Sequence, residues 1–213
     1  MIDPGIKRCL GQMMKGVQVV AASHGGVVRA YCSHWVCQVS FEEPILMASV
    51  SPKHDTHPLI VASGAFTVSI LAGDQVDAGQ YFSYPGRRFR YVAPEYLTTE
   101  RGHPVVPGAI AWLHAEVIDR VRTLGGRHGA AEVPLDHELV FARVVEVGEG
   151  RLREPPLLYS SRLGWRVTGD RAREPGGSVR DRLLARLCVE DGSEGRQGPA
   201  TADDAGGGST DGS

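Results

Sequence analysis

From Ala30 to Ile60 the chain reads AYCSHWVCQVSFEEPILMASVSPKHDTHPLI. Trp35 and Val39 are separated by small or polar Ser33, Cys37 and Ser40. This imperfect alternation predicts a strand that stops at the acidic turn Glu42-Glu43-Pro44, because proline cannot donate to a ladder. Ile45–Val50 is a continuous apolar run, too short to favour a helix, and predicts a strand buried on both faces. Pro58 beside Leu59-Ile60-Val61 predicts a short helix ending near Gly64. Between that strand and helix, SPKHDTHP gathers Ser51, Lys53, His54 and Thr56 in one loop. Hydroxyls and loop amides beside a cation suit an oxyanion or a phosphate. Together the two strands and the loop form a pattern able to hold a planar ring and a phosphate.

Elsewhere the punctuation is equally readable. Ile6–Met14 carries Ile6, Leu10, Met13 and Met14 on one side, with Gly16 closing an amphipathic helix. Val17–Ser23 reads as a strand, and His24-Gly25-Gly26 as a tight turn into Val27–Tyr31, which makes a hairpin. Further strands are expected at Ala65–Leu71, Ala109–Arg122, Glu138–Glu149 and Leu157–Tyr159, with a short helix within Gly73–Ser83. Leu124–Val133, LGGRHGAAEV, reads as a flexible hairpin insertion. Many strands with few helices and no βαβ alternation argue for an antiparallel barrel rather than a doubly wound sheet. A Rossmann-type glycine fingerprint is absent, so a nicotinamide cofactor would bind without a dedicated dinucleotide domain.

The chain has 213 residues, which fits one domain of about 150–170 residues plus an appendage. The domain is placed at 1–168 and a peripheral extension at 169–191, where composition shifts to Arg, Glu, Gly and Pro. Within the extension, Ser178–Leu187 predicts a helix capped by Ser178 with Asp181 three residues on. Its stripe of Val179, Leu183, Leu184 and Leu187 would dock on the barrel or on a partner subunit. The tail 192–213 has too few apolar groups to offset ordering entropy and is expected to be disordered.

A formal net charge of −2 advertises no nucleic acid. Arg87, Arg88 and Arg90 form either a phosphate-steering rim or a solvated loop. No apolar run approaches the roughly 20 residues needed to span a bilayer, and MIDPGIKRCL lacks a signal-peptide core, so a cytoplasmic protein without a membrane partner is expected. Cys9, Cys32, Cys37 and Cys188 form no CxxC pair. Cys32 and Cys37, five residues apart on one expected strand, would face opposite sides, and all four cysteines read as small half-buried strand residues. No metal is expected.

Taken in order, four segments resemble the flavin reductase-like, FMN-binding split-barrel family: GVQVVAASHGGVVRAYCSHWVCQVSFEEPILMASVSPKHDTHPLIVASGAFTVSIL, AGQYFS, LDHELVFARVVEV and PPLLYSSRLGW. The match runs from about Leu10 to Arg166. It implies a mainly β fold, an antiparallel split β-barrel with a few short peripheral α-helices. It also implies an NAD(P)H-dependent flavin reductase that transfers hydride from NADH or NADPH to FMN or FAD and supplies reduced flavin to a partner monooxygenase. A homodimer is implied, with Trp35, Trp112 and Trp165 as candidate interface anchors. Two alternatives remain open: an FMN-binding electron carrier without its own nicotinamide site, and a binding or regulatory module that has lost flavin.

By this resemblance the flavin lies along Cys32, Ser33, His34, Trp35 and Val36, with backbone amides at the polar edge of the ring. Gln38 and Ser40 continue the lining. The phosphate falls to Ser51, Lys53, His54 and Thr56, in agreement with the reading of that loop from its residues, although Lys53 could instead be a solvated charge. Related sequences often carry Thr or Ser where Cys32 and Cys37 stand, so hydroxyl donors are missing at those positions. Trp35 is either a ring contact or a core or interface anchor. Asp136-His137 matches the family's DH pair, which gives His137 the catalytic position toward the nicotinamide or flavin face; a purely structural histidine at a strand start is the alternative. Tyr159 is a candidate pocket wall and Phe82 a candidate pocket mouth, with core packing as the alternative for both.

Overall fold

The computed structural model describes residues 2–84, 93–125, 131–166 and 179–193, the last few of these by backbone alone. In chain order the elements are α1 (Pro4–Leu10), β1 (Lys15–Gly16), β2 (Gln18–His24), β3 (Val27–Ser33), β4 (Val36–Gln38), β5 (Ile45–Val50), α2 (His57–Ser63) and β6 (Ala65–Ile70). There follow α3 (Val76–Ser83), β7 (Thr98–Glu100), β8 (His103–Val105), β9 (Ala111–Leu124), β10 (Val133–Glu149), β11 (Leu158–Ser160), β12 (Gly164–Arg166) and α4 (Val179–Ser193). Seven strands form one antiparallel sheet in the order β3-β2-β6-β9-β10-β5-β4, and β1-β11-β12 form a small second sheet.

The edge strands of the large sheet, β3 and β4, are consecutive in the chain and joined only by His34 and Trp35. Laid flat, the two edges would stand about 29 Å apart, six gaps of about 4.8 Å. Three Cα steps reach about 11 Å at most. The sheet therefore curls until its edges meet at this link. The expected single strand through Trp35 is broken into β3 and β4, because here the chain crosses between edges rather than continuing along one. Cys32 and Cys37 thus lie on different strands; Cys32 is half-buried, while Cys37, Cys9 on α1 and Cys188 on α4 are exposed, contrary to the half-buried strand positions expected for them.

Inside the curl, Val20, Ala22, Tyr31, Leu46, Ala48, Val50, Phe66, Val68, Ala115, Val140 and Ala142 form one core, closed at an end by Ile60 of α2. A second core lies outside the sheet, where Val17, Val19, Leu71, Val76, Ala78 and Leu157 pack under α3. Consequently β2 is buried on both faces, whereas β5 alternates, with Leu46, Ala48 and Val50 buried and Ile45, Met47 and Ser49 half-buried. The outer layer covers β2 and β3 rather than β5, which corrects the expectation of full burial there.

Local chemistry explains the element ends. α1 starts earlier than expected because Asp3 Oδ1 accepts from the N–H groups of Gly5 (2.8 Å) and Ile6 (3.0 Å). The β2–β3 turn places Gly25 and Gly26 at φ 57° and 77°, as a two-residue primed turn requires. α2 ends at Gly64, as its sequence predicts. β9 and β10 pair from Val133↔Leu124 to Glu149↔Ala111; the centre of the expected insertion between them lies outside the described residues, as do Arg87, Arg88 and Arg90. α4 docks on the barrel: Val179 and Leu183 are buried with Tyr81 and Ala93, Arg182 pairs with Asp77, and Arg186 pairs with Glu95 at 3.0 Å. The helix continues past Leu187, while its expected Ser178 cap and residues 194–213 lie outside the described residues.

Candidate functional site

The two-residue link that closes the barrel is also the centre of the proposed ring site. Trp35 N–H donates to Ser33 Oγ at 3.2 Å, and its carbonyl accepts from Ser49 N–H at 2.9 Å. Beyond it, Val39 N–H donates to Ile45, so the antiparallel alternation turns the N–H groups of Val36 and Gln38 away from β5, toward the open edge of the sheet. Val36 packs its side chain against the barrel core and so offers its backbone. Gln38 Nε2 donates to the Ser40 carbonyl at 2.9 Å, which ties these two lining candidates to each other.

Aromatic groups flank the link. His34 stacks on Tyr159, centroids 4.4 Å apart and planes 7° off parallel, and meets Trp165 edge-on at 5.9 Å. Cys32, Phe82, Tyr159 and Trp165 all pack at the margin of the outer core, and burial pushes the Cys32 thiol up to about 11. On the other side, Trp35 meets His137 edge-on at 5.0 Å, and Asp136 Oδ1 lies 3.0 Å from His137 Nδ1. Trp35 is 50% exposed, so it is not a core residue. Trp112 is: it is 4% exposed and its indole N–H donates to Glu100 at 2.7 Å, which removes it as an interface anchor.

The loop after β5 folds as a compact turn. Ser51 is buried and its Oγ accepts from Lys53 N–H at 3.3 Å, while its carbonyl accepts from His54 N–H at 3.0 Å. Thr56 is buried, and its carbonyl takes the N–H groups of Leu59 and Ile60 as α2 begins. Lys53 is exposed. The His54 ring tilts against Tyr31, centroids 4.3 Å apart. Burial holds His54 below the usual histidine range, with repulsion from His137 and His57 adding to it, and burial likewise raises the Tyr31 hydroxyl above its ordinary value. Both are neutral near pH 7. Tyr31 OH, His54 Nδ1 and His34 Nδ1 are buried without a hydrogen-bond partner among the described residues. Each such group costs about 1–3 kcal/mol, a cost that a ligand with matching donors and acceptors removes. A flavin ring and phosphate fit this set of unsatisfied atoms, open amides and aromatic faces.

One feature escapes the motif reading. Glu138 is 5% exposed, with Oε2 2.8 Å from His57 Nε2 and 3.8 Å from Arg120 Nη1. The signal was its parity: Glu138, Val140 and Ala142 share the inward face of β10, where a carboxylate needs partners. This pair ties the first residue of α2, directly after the phosphate-loop candidate, to the strand that carries His137. Among the described residues no group of three or more His, Cys, Asp or Glu side chains converges as metal donors, and no helix is long and apolar enough to cross a membrane.

The reductase component of 4-hydroxyphenylacetate 3-monooxygenase from Thermus thermophilus is 33% identical over 158 residues, covering 73% of this chain and 91% of that one. Diflavin flavoprotein A 1 of Synechocystis is 24% identical over 146 residues, which is 67% of this chain and only 24% of that protein's length. In structure, the styrene monooxygenase flavin reductase of Pseudomonas putida S12 matches with a TM-score of 0.61 at 25% identity, covering 74% of this chain and 93% of that one. Residues 10–163 match the flavin reductase like domain, and the chain belongs to that family of oxidoreductases.

Proposed function

We propose that this chain is an NAD(P)H-dependent flavin reductase that transfers hydride to FMN or FAD and supplies the reduced flavin to a partner monooxygenase. What supports the reading is the open β4 amides and paired aromatic groups at the barrel link, together with buried polar atoms of Tyr31, His34 and His54 that have no hydrogen-bond partner among the described residues. The cofactors supply the hydride chemistry when bound. The protein's part is to hold and orient two rings and to offer N–H donors where negative charge develops. Val36 and Gln38 present such donors, with Cys32, Ser33, His34 and Trp35 lining the ring. Ser51, Lys53, His54 and Thr56 hold the phosphate. His137, steadied by Asp136 and set against Trp35, faces the reacting rings, while Tyr159 and Phe82 bound the pocket.

Lys53→Ala weakens FMN binding by about tenfold or more while leaving riboflavin nearly unchanged, because only FMN carries the phosphate that forms the charge-assisted bond. Fluorescence titration of the two flavins measures this, and equal losses would remove Lys53 from the phosphate site. His137→Ala lowers turnover by about tenfold or more with flavin affinity retained, since a misplaced ring slows transfer without unseating the cofactor. Steady-state rates beside a flavin titration check it; unchanged turnover would leave His137 a structural residue.

The same reading includes a homodimer. Trp35 and Val39, which flank β4, and Phe41 just beyond it are 50%, 48% and 95% exposed, and a free strand edge with such neighbours calls for cover. Light scattering on the full chain gives twice the chain mass, and a monomer would contradict the assignment. One other reading uses the same flavin site: an FMN-binding electron carrier that nicotinamides do not reduce.

A further inference from the structure

Next to the link, α1 and the β11–β12 turn enclose a cleft of about 650 Å3, within the roughly 300–1,000 Å3 range of small-molecule sites. Four cations from three segments line it: Lys7 and Arg8 on α1, Lys15 on β1 and Arg162 in the β11–β12 turn. Ile2 and Leu10 add an apolar wall, and no carboxylate lines the cleft. None of the four cations has an ion pair with Asp or Glu among the described residues. Like charges gathered in a concavity without counter-charge focus a positive potential that concentrates anions.

The cleft adjoins the flavin site. The Lys15 ammonium lies 5.8 Å from the centroid of Trp35. Arg162 stands three residues after Tyr159, which stacks on His34. Lys15 is also the strand partner of Tyr159, so both aromatic groups are next to a lining residue of the cleft. The sequence carries no Rossmann-type glycine fingerprint, and side-chain cations are an alternative means of holding a diphosphate.

We propose that the cleft binds the adenosine diphosphate half of a dinucleotide, with its phosphates on Lys7, Arg8, Lys15 and Arg162 and its adenine against Ile2 and Leu10. In FAD the inner phosphate of this half is the FMN phosphate, which the reductase reading assigns to Ser51–Thr56, so the cleft's dinucleotide is the nicotinamide one. The assignment rests on the reductase reading for its use, but its test does not require turnover.

Calorimetric titration of the full chain with ADP-ribose shows binding that weakens as salt rises. The charge-reversed double variant Arg8→Glu/Arg162→Glu binds ADP-ribose at least about tenfold more weakly, the loss of one to two charge-assisted contacts, and binds FMN as the native chain does. No binding of ADP-ribose, or equal binding by the variant, overturns the proposal. So does a variant that changes only the oligomeric state in light scattering, which would assign the cleft to a second copy of the chain. A raised KM for NADH or NADPH with unchanged FMN and FAD affinity supports the site; lowered FAD affinity with an unchanged KM overturns its assignment to the nicotinamide dinucleotide. ADP-ribose binding in a protein that never oxidises NADH or NADPH would sink the reductase reading and keep the site, whereas turnover without ADP-ribose binding would do the reverse.

Discussion

Replacing Glu138 by alanine lowers the stability of the fold by about 3 kcal/mol, near the lower end of the range for breaking a buried ion pair. The carboxylate is 5% exposed and holds His57 at 2.8 Å with Arg120 at 3.8 Å. The lower end applies because Arg120 reaches water. Glu138→Gln retains an acceptor for the His57 N–H and recovers part of the loss. Urea unfolding of the three proteins gives the comparison, and a loss under about 1 kcal/mol for Glu138→Ala would show that the pair is no stronger than a surface bridge. The effect extends to the site. His57 follows the Ser51–Thr56 loop and Glu138 follows His137, so breaking the pair frees that loop, proposed to hold the phosphate, from the strand beside it. Flavin affinity falls together with stability, and Glu138→Gln recovers part of both.

Gly79→Val destabilises the fold by about 2 kcal/mol through overpacking and dismantles one aromatic flank of the site. A Cβ at Gly79 would sit 2.8 Å from Trp165 Cζ3 and 3.4 Å from Leu157 Cδ2. The indole cannot yield by a simple rotation, because Trp165 also meets Tyr159 at 5.3 Å and His34 at 5.9 Å. Glycine inside α3 costs about 1 kcal/mol of helix propensity relative to alanine, so a position with open space would be stabilised by Gly79→Ala. At this position the sign reverses: alanine is neutral or harmful and valine is worse. Thermal unfolding and flavin titration of both variants measure it, and a stabilised Gly79→Ala with unchanged flavin binding would show that Trp165 does not need the helix surface at Gly79.

Local signals carried much of the fold. Two glycines marked the β2–β3 turn, Pro58 and Gly64 bracketed α2, and the apolar run Ile45–Val50 marked β5. The break at His34 and Trp35 was not legible, because its cause is the meeting of two sheet edges far apart in the strand order. β1, β7, β8 and β12 span two or three residues each, too few for an alternation to register. The Ser51–Thr56 loop stood out by its side chains alone. Tyr31, Lys15 and Trp165 did not, since an isolated aromatic or lysine has no local pattern and reaches the site through register and closure.

The central claim is hydride transfer from a nicotinamide to a flavin held at the barrel link. The most direct measurement is the visible spectrum of the purified chain with FMN, followed anaerobically after NADH and NADPH are added in separate cuvettes. Bleaching of the flavin band at catalytic rates with at least one nicotinamide is the predicted result. A flavin that binds and is reduced by dithionite, yet stays oxidised with both nicotinamides, would contradict it and make the protein an electron carrier.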